Sequence, residues 1–212
     1  MIMRQRLLSF LLFFAPLAFA SADSTAIFQG YSGGMMLHAG YLFGNNPSAV
    51  LPTGESIASQ GITCGIGGSL RVNLKQHLRI GCEGFVSTMN SQLTDQRQSL
   101  QSGSYVRTGW GGLLADACWR GERFWHFIGG SVGGGAMHTL ALVKGSENGW
   151  IPEESVVLNK QSFMYINPYI GIDYCLTHRV HVCLRLDWML AFAQKQLLYP
   201  TGPRLYIGFM FC

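Results

Sequence analysis

From Gly61 to Lys75 the chain reads GITCGIGGSLRVNLK. Apart from Gly68, the even positions are apolar: Ile62, Cys64, Ile66, Leu70, Val72 and Leu74. The odd positions are glycines, Thr63, Ser69, Arg71, Asn73 and Lys75. Successive side chains of a strand point to opposite faces, so period-two alternation predicts a strand with one greasy face. About fifteen residues is far longer than the usual strand of roughly five or six.

The pattern recurs along the chain. Further strands are predicted over 31–43, 78–88, 104–119, 124–139, 163–176, 180–190 and 204–212, eight in all. In 180–190 it is clean, with Val180, Val182, Leu184, Leu186, Trp188 and Leu190 against His181, Cys183, Arg185, Asp187 and Met189. In 104–119 it is weak, and Arg107 and Asp116 fall on opposite faces. A β-bulge or a mistaken face would account for that, and both readings stay open.

The connections alternate in length. QH, RGER and THR make short turns, whereas Gly44–Gln60, Met89–Gly103, Leu140–Ser162 and Ala191–Pro203 are long and polar. Short, long, short, long is the meander of an eight-stranded antiparallel up-and-down transmembrane β-barrel. Both termini are then expected at the periplasmic, short-turn end. In hydrocarbon every backbone polar group must pair internally, so only helices and closed barrels span a bilayer. A tilted spanning strand needs about 9–11 residues, apolar outside and polar inside.

A soluble barrel of lipocalin type shows the same alternation with the faces exchanged. Three features favour the membrane reading. The polar faces are too poor in charge for a soluble exterior. The glycines gather opposite the grease. Aromatics fall near strand ends, with Tyr41, Phe43, Tyr105, Phe163, Tyr165 and Trp188 at one end. At the other stand Trp119, Phe124, Trp125, Tyr174, Phe209 and Phe211.

Composition agrees. Only 12% of the residues are charged, and no stretch holds 18 consecutive apolar residues. The start has Arg4 and Arg6, an apolar run from Leu7 to Phe19, then Ala20, Ser21 and Ala22. That is the layout of a signal peptide over 1–22, leaving 23–212 as one barrel domain. Net charge is +4, or about +2 without the two leader arginines (4 − 2), too mild to argue for nucleic acid. The six cysteines, at 64, 82, 118, 175, 183 and 212, show no CxxC or Cys/His ligand spacing. No metal or cofactor is expected.

The stretches GSYVRTGWGGLLADACW, GGSVGGG and the terminal GPRLYIGFMFC resemble the small eight-stranded outer membrane barrels of the OmpA/OmpX-like superfamily. More narrowly, the chain resembles an outer membrane barrel family of Bacteroidetes-type bacteria. The resemblance implies an outer membrane location and, as partners, outer membrane lipid and the barrel assembly machinery. Superfamily members end in an aromatic residue, whereas here Cys212 follows Phe211.

Eight strands enclose a lumen that side chains just fill, which disfavours a general porin. The expected lumen charges are Arg71, Arg79, Glu83, Arg107, Asp173, Arg185, Asp187 and Arg204, five arginines against three acids. The bland reading is a structural plug and the functional one a narrow anion path. Opposite charges stabilise directly across a strand pair. Asp173 is therefore expected opposite Arg185, which sets Cys175 opposite Cys183 and closes the hairpin over residues 178–180. A disulfide between those cysteines and two free thiols both stay open.

Some eight-stranded barrels are lipid-modifying enzymes, here a deacylase- or acyltransferase-like alternative. Its candidates are His138 beside Thr139, and His38. No nucleophile–base–acid spacing supports it, so no catalytic residue is assigned. The run Gly129–Gly135 lacks the Lys-Ser/Thr of a phosphate loop. In the loop SENGWIPEESVV, Trp150, Ile151 and Pro152 are either anchors for an extracellular ligand or a cover over the barrel mouth. The expectation is a non-enzymatic barrel serving envelope structure or surface interaction.

Overall fold

The computed structural model describes residues 28–43, 58–59, 61–74, 77–90, 93–94, 105–142, 156–192 and 201–212. The leader and Trp150, Ile151 and Pro152 lie outside the described residues. Eight long strands form one closed barrel. They are β1 (Phe28–Leu42), β2 (Gly61–Leu74), β3 (Leu78–Asn90), β4 (Tyr105–Arg120), β5 (Phe124–Leu142), β6 (Val156–Cys175), β7 (Val180–Phe192) and β8 (Gly202–Phe211). Each pairs antiparallel with its sequence neighbours, and β8 closes onto β1 through pairs such as Leu37 with Ile207. Outside the barrel, Ala58–Ser59 pairs with Leu93–Thr94. β5 and β6 remain paired out to Leu142 and Val156, which shortens the connection expected over 140–162.

The stagger follows from the register. From Ser32, partners run to Arg71, Gly81, Leu114, Ser131 and Asn167. The β6–β7 register then leads to Met189, whose partner Gly202 falls level with Leu42 on β1. The circuit returns ten residues from its start (42 − 32 = 10). With about 3.3 Å per residue and 4.8 Å between strands, ten residues over eight strands tilt the strands by about 40°, inside the usual range.

Alternation sorts the side chains, and the structure decides which face is which. Leu70 and Leu113 are 64% and 69% exposed, whereas Arg185 and Asn167 are 0% exposed. The grease is outside and the charge inside, which excludes the lipocalin-type arrangement. Ile66, Ile128, Val132, Ile166, Ile170, Leu184 and Ile207 belong to this apolar outer surface. Hydrocarbon, not water, is the solvent it matches.

Two expectations about faces need correction. Phe163 and Tyr165 are buried in the lumen, and Trp125 turns inward to meet His181 edge-on at 4.6 Å. Aromatic side chains fill a narrow lumen as readily as they line a membrane interface. Outer aromatic residues include Tyr41, Phe43, Tyr105, Trp188 and Phe192 at the long-loop end, and Tyr31, Trp119, Phe124, Tyr174, Phe209 and Phe211 at the short-turn end.

Lumen glycines make room for these inward rings. A Cβ on Gly67 would lie 2.2 Å from the Phe85 ring, and one on Gly171 would lie 2.2 Å from that of Phe127. Both rings belong to residues directly opposite across a strand pair.

Candidate functional site in the barrel lumen

The lumen has a charged lower part, near the short turns, and an aromatic upper part. In the lower part Arg79 of β3 contacts Asp116 of β4 through Nε, and its Nη1 donates to Asp173 of β6 at 3.0 Å. The Tyr169 hydroxyl donates to Asp116 at 3.0 Å. Arg71 Nε lies 3.7 Å from Asp116, and its two terminal nitrogens have no hydrogen-bond partner. Both guanidinium groups sit over the Phe127 ring, at 5.0 and 4.7 Å from its centroid.

One step higher, Arg185 Nη1 donates to Glu83 at 2.6 Å and Nη2 to Asp187 at 3.2 Å. Ser131 donates to Glu83 and Asn167 to Asp187, each at 2.6 Å. Arg204 Nε lies 3.4 Å from Asp187. Arg185 is sandwiched by aromatic faces, 3.9 Å from the Tyr169 centroid and 5.0 Å from that of Tyr206. Arg204 lies 4.5 Å over Trp110. Guanidinium suits such a site because its planar face stacks on rings while its edge binds carboxylates.

Above these charges, His38, Phe85, Trp110 and Tyr206 form a ring cluster with centroid separations of 5.0 to 5.7 Å. Met36, Met89, Met137 and Met189 are buried in the same apolar cluster.

Seven of the eight expected lumen charges are on the inner face; Arg107 is not. Arg107 is exposed on the outside, paired across β4–β5 with His138. The inner residues of β4 are Val106, Thr108, Trp110, Leu114, Asp116 and Cys118. Both neighbouring registers run through β4 without a shift, so no bulge is present. The weak pattern has a simpler cause: a lumen lined by Trp110 and Leu114 looks apolar on the side that is buried. Asp116 therefore enters the network and Arg107 leaves it. Five arginines become four and three acids become four, so the buried network of Arg71, Arg79, Arg185 and Arg204 with Glu83, Asp116, Asp173 and Asp187 carries no net charge. The cationic excess behind an anion path disappears.

The β6–β7 register also differs from expectation. Asp173 stands opposite Cys183, and Arg185 opposite Gly171. Cys175 stands opposite His181, and all six cysteines are free. The connection covers residues 176–179, with the Thr177 hydroxyl accepting from the Val180 N–H at 3.1 Å. The expected attraction between Asp173 and Arg185 is replaced by one across the lumen, from Arg79.

The residues weighed for lipid chemistry do not converge. Thr139 is buried in the lumen, whereas its neighbour His138 faces outward. His38 is 4% exposed, and neither ring nitrogen has a hydrogen-bond partner. Among the described residues, no group of three or more His, Cys, Asp or Glu side chains could hold a metal ion. The plug also includes Asn167, on the polar face that the alternation assigns it, and two residues that pattern reading passed over, Tyr169 and Ser131. Their one sequence signal is that they share the parity of charged or aromatic neighbours on their strands.

No protein-family model matches the chain, and no curated protein matches it in sequence. Solved structures do match in shape. Neisserial surface protein A aligns with a TM-score of 0.53 at 12% identity, covering 88% of this chain and 97% of its own. Ail, the attachment invasion locus protein of Yersinia pestis, aligns at 0.50 and 10% identity, covering 86% of this chain and 98% of its own. The outer membrane protein OprG from Pseudomonas aeruginosa aligns at 0.50 and 10% identity, covering 85% and 94%. At such identities the likeness establishes architecture: the chain has the fold of the small eight-stranded outer membrane barrels.

Proposed function

We propose that the protein is a non-enzymatic outer membrane barrel whose lumen is a structural plug and whose long loops carry surface interactions. One observation carries this reading. The eight lumen charges are buried and mutually neutral, with Arg185 at 0% exposure and tied to Glu83 and Asp187. Moving an ion through such a network means breaking buried ion pairs, each costing roughly 3–5 kcal/mol when one partner is lost. The loops then become the variable, ligand-facing part of a rigid scaffold. In this reading the short turns and both termini face the periplasm. Trp150, Ile151 and Pro152 lie on the outer surface as contact residues, and the barrel assembly machinery inserts the chain. Ail, a neighbour in shape, is an attachment protein by its name, which is consistent with loop-borne interaction.

Reconstitution in planar bilayers, with surface labelling of intact cells, tests this. The barrel should show no steady conductance. A membrane-impermeant maleimide should label a Trp150→Cys variant from outside and fail to label His178→Cys. Steady single-channel openings would overturn the plug, and the reverse labelling pattern would overturn the orientation.

A further inference from the structure

Among the described strand residues, the outer face of the barrel carries charge of one sign. The carboxylates on the described strands, Glu83, Asp116, Asp173 and Asp187, all face inward. Near the long-loop end, Arg107 of β4, His138 of β5 and Lys160 of β6 stand directly opposite one another in a row on the outer face. Thr88 of β3 extends the row on the other side of Arg107. Basic groups so aligned repel one another, and among the described residues no acid stands beside them.

Immediately toward the membrane centre the surface of β4 and β5 carries only glycine and alanine, flanked by Val86 of β3 and by Ser162 and Met164 of β6. The next row holds Val86, Gly109, Ala136 and Ser162, and the one after it Gly84, Gly111, Gly134 and Met164. Several of these glycines differ from those in the lumen. A Cβ on Gly84, Gly109 or Gly134 would meet its nearest atom only at 3.9, 4.0 and 3.5 Å. Packing within the chain does not require glycine there. On β4 and β5 full-sized side chains return one row further, at Leu113 and Val132.

We infer that this face binds a phosphorylated lipid, its phosphates on Arg107, His138 and Lys160 and its acyl chains over the smooth patch below. The inference rests on the orientation proposed above, so the lipid is the glycolipid of the outer leaflet. The observations suit an amphipathic anion. The row spans two strand spacings, about 10 Å, enough for more than one phosphate. Long basic side chains at the rim of the apolar surface reach a headgroup while their stems stay in hydrocarbon. An acidic protein would satisfy the charge but would leave the smooth, hydrocarbon-facing patch unexplained.

The test is retention of diphosphoryl lipid A by the refolded barrel in detergent, read by native mass spectrometry against phosphatidylcholine. The wild type should prefer lipid A. An Arg107→Gln, Lys160→Gln double variant should weaken retention by roughly tenfold, because a basic residue near a charged membrane surface contributes on the order of a fewfold to tenfold each. Arg120→Gln with Arg179→Gln removes equal charge at the short-turn end and should change nothing. Gly134→Leu should weaken retention with every charge in place. Absence of a preference in the wild type, or equal loss from the short-turn variant, would overturn the site while leaving the barrel standing. Failure of the wild type to give a heat-resistant folded band would instead remove the barrel reading, and the site with it.

Discussion

Arg79 reaches across the lumen to Asp173, 3.0 Å away on a strand three places around the barrel. The same guanidinium binds Asp116 on the adjacent strand. One side chain thus ties β3, β4 and β6 together from within. Arg79→Ala would leave two buried carboxylates short of a partner and should cost roughly 3–5 kcal/mol. Arg71 makes one distant contact, 3.7 Å to Asp116, so Arg71→Met should cost clearly less. Urea unfolding in lipid vesicles measures both, and equal losses would mean that these ion pairs do not set the energetics.

Leu184 is 45% exposed and sits in the outer apolar surface. Leu184→Arg should therefore destabilise the barrel by roughly 2–4 kcal/mol. Leu176 is similarly exposed but lies in the short turn beyond β6. The same substitution there should cost about 1 kcal/mol or less. Similar losses at both positions would contradict a lipid-facing Leu184.

The two kinds of glycine should respond oppositely to alanine. At Gly171 a Cβ would meet the Phe127 ring at 2.2 Å and the Leu184 carbonyl at 2.6 Å. Gly171→Ala should destabilise by about 1–3 kcal/mol through overpacking. At Gly134 the nearest atom is 3.5 Å away. Gly134→Ala should be neutral or slightly stabilising, since glycine inside a strand costs about 0.5–1 kcal/mol. Unfolding midpoints of the two variants should move in different directions.

Thiol chemistry checks the β6–β7 register. Cys183 and Cys118 are 0% and 1% exposed, while Cys64, Cys82 and Cys212 are exposed. Without reductant, a lipid-soluble maleimide should modify the exposed three in the folded barrel. Cys183 and Cys118 should react only on denaturation. Failure of Cys175 and Cys183 to react even in denaturant would mean a bridge, and a register other than the one with Asp173 opposite Cys183.

Most of the fold is legible in the residues, because alternation over long strands and alternating loop lengths leave few other architectures. The face of β4 was not legible by the same logic. Its inner side holds Val106, Trp110 and Leu114 beside Asp116, so apolar and polar no longer distinguish outside from inside. The register of β6 and β7 was missed for a different reason. Cross-strand pairing considers two neighbours, but a lumen is three-dimensional, and Asp173 finds its arginine on β3. Neutrality of the plug emerges only when all the strands are placed together.

Closure of β1 onto β8 has a consequence for how the chain is made. The partner of the first strand comprises residues 202–211, the last of the eight barrel strands to be made. Until they arrive, β1 and β7 each present an unpaired row of backbone groups, the template on which stray chains add. The order of synthesis therefore leaves the ring unfinished until the eighth strand has been made. How long those edges stay unpaired is set by where in the chain the closing strand lies.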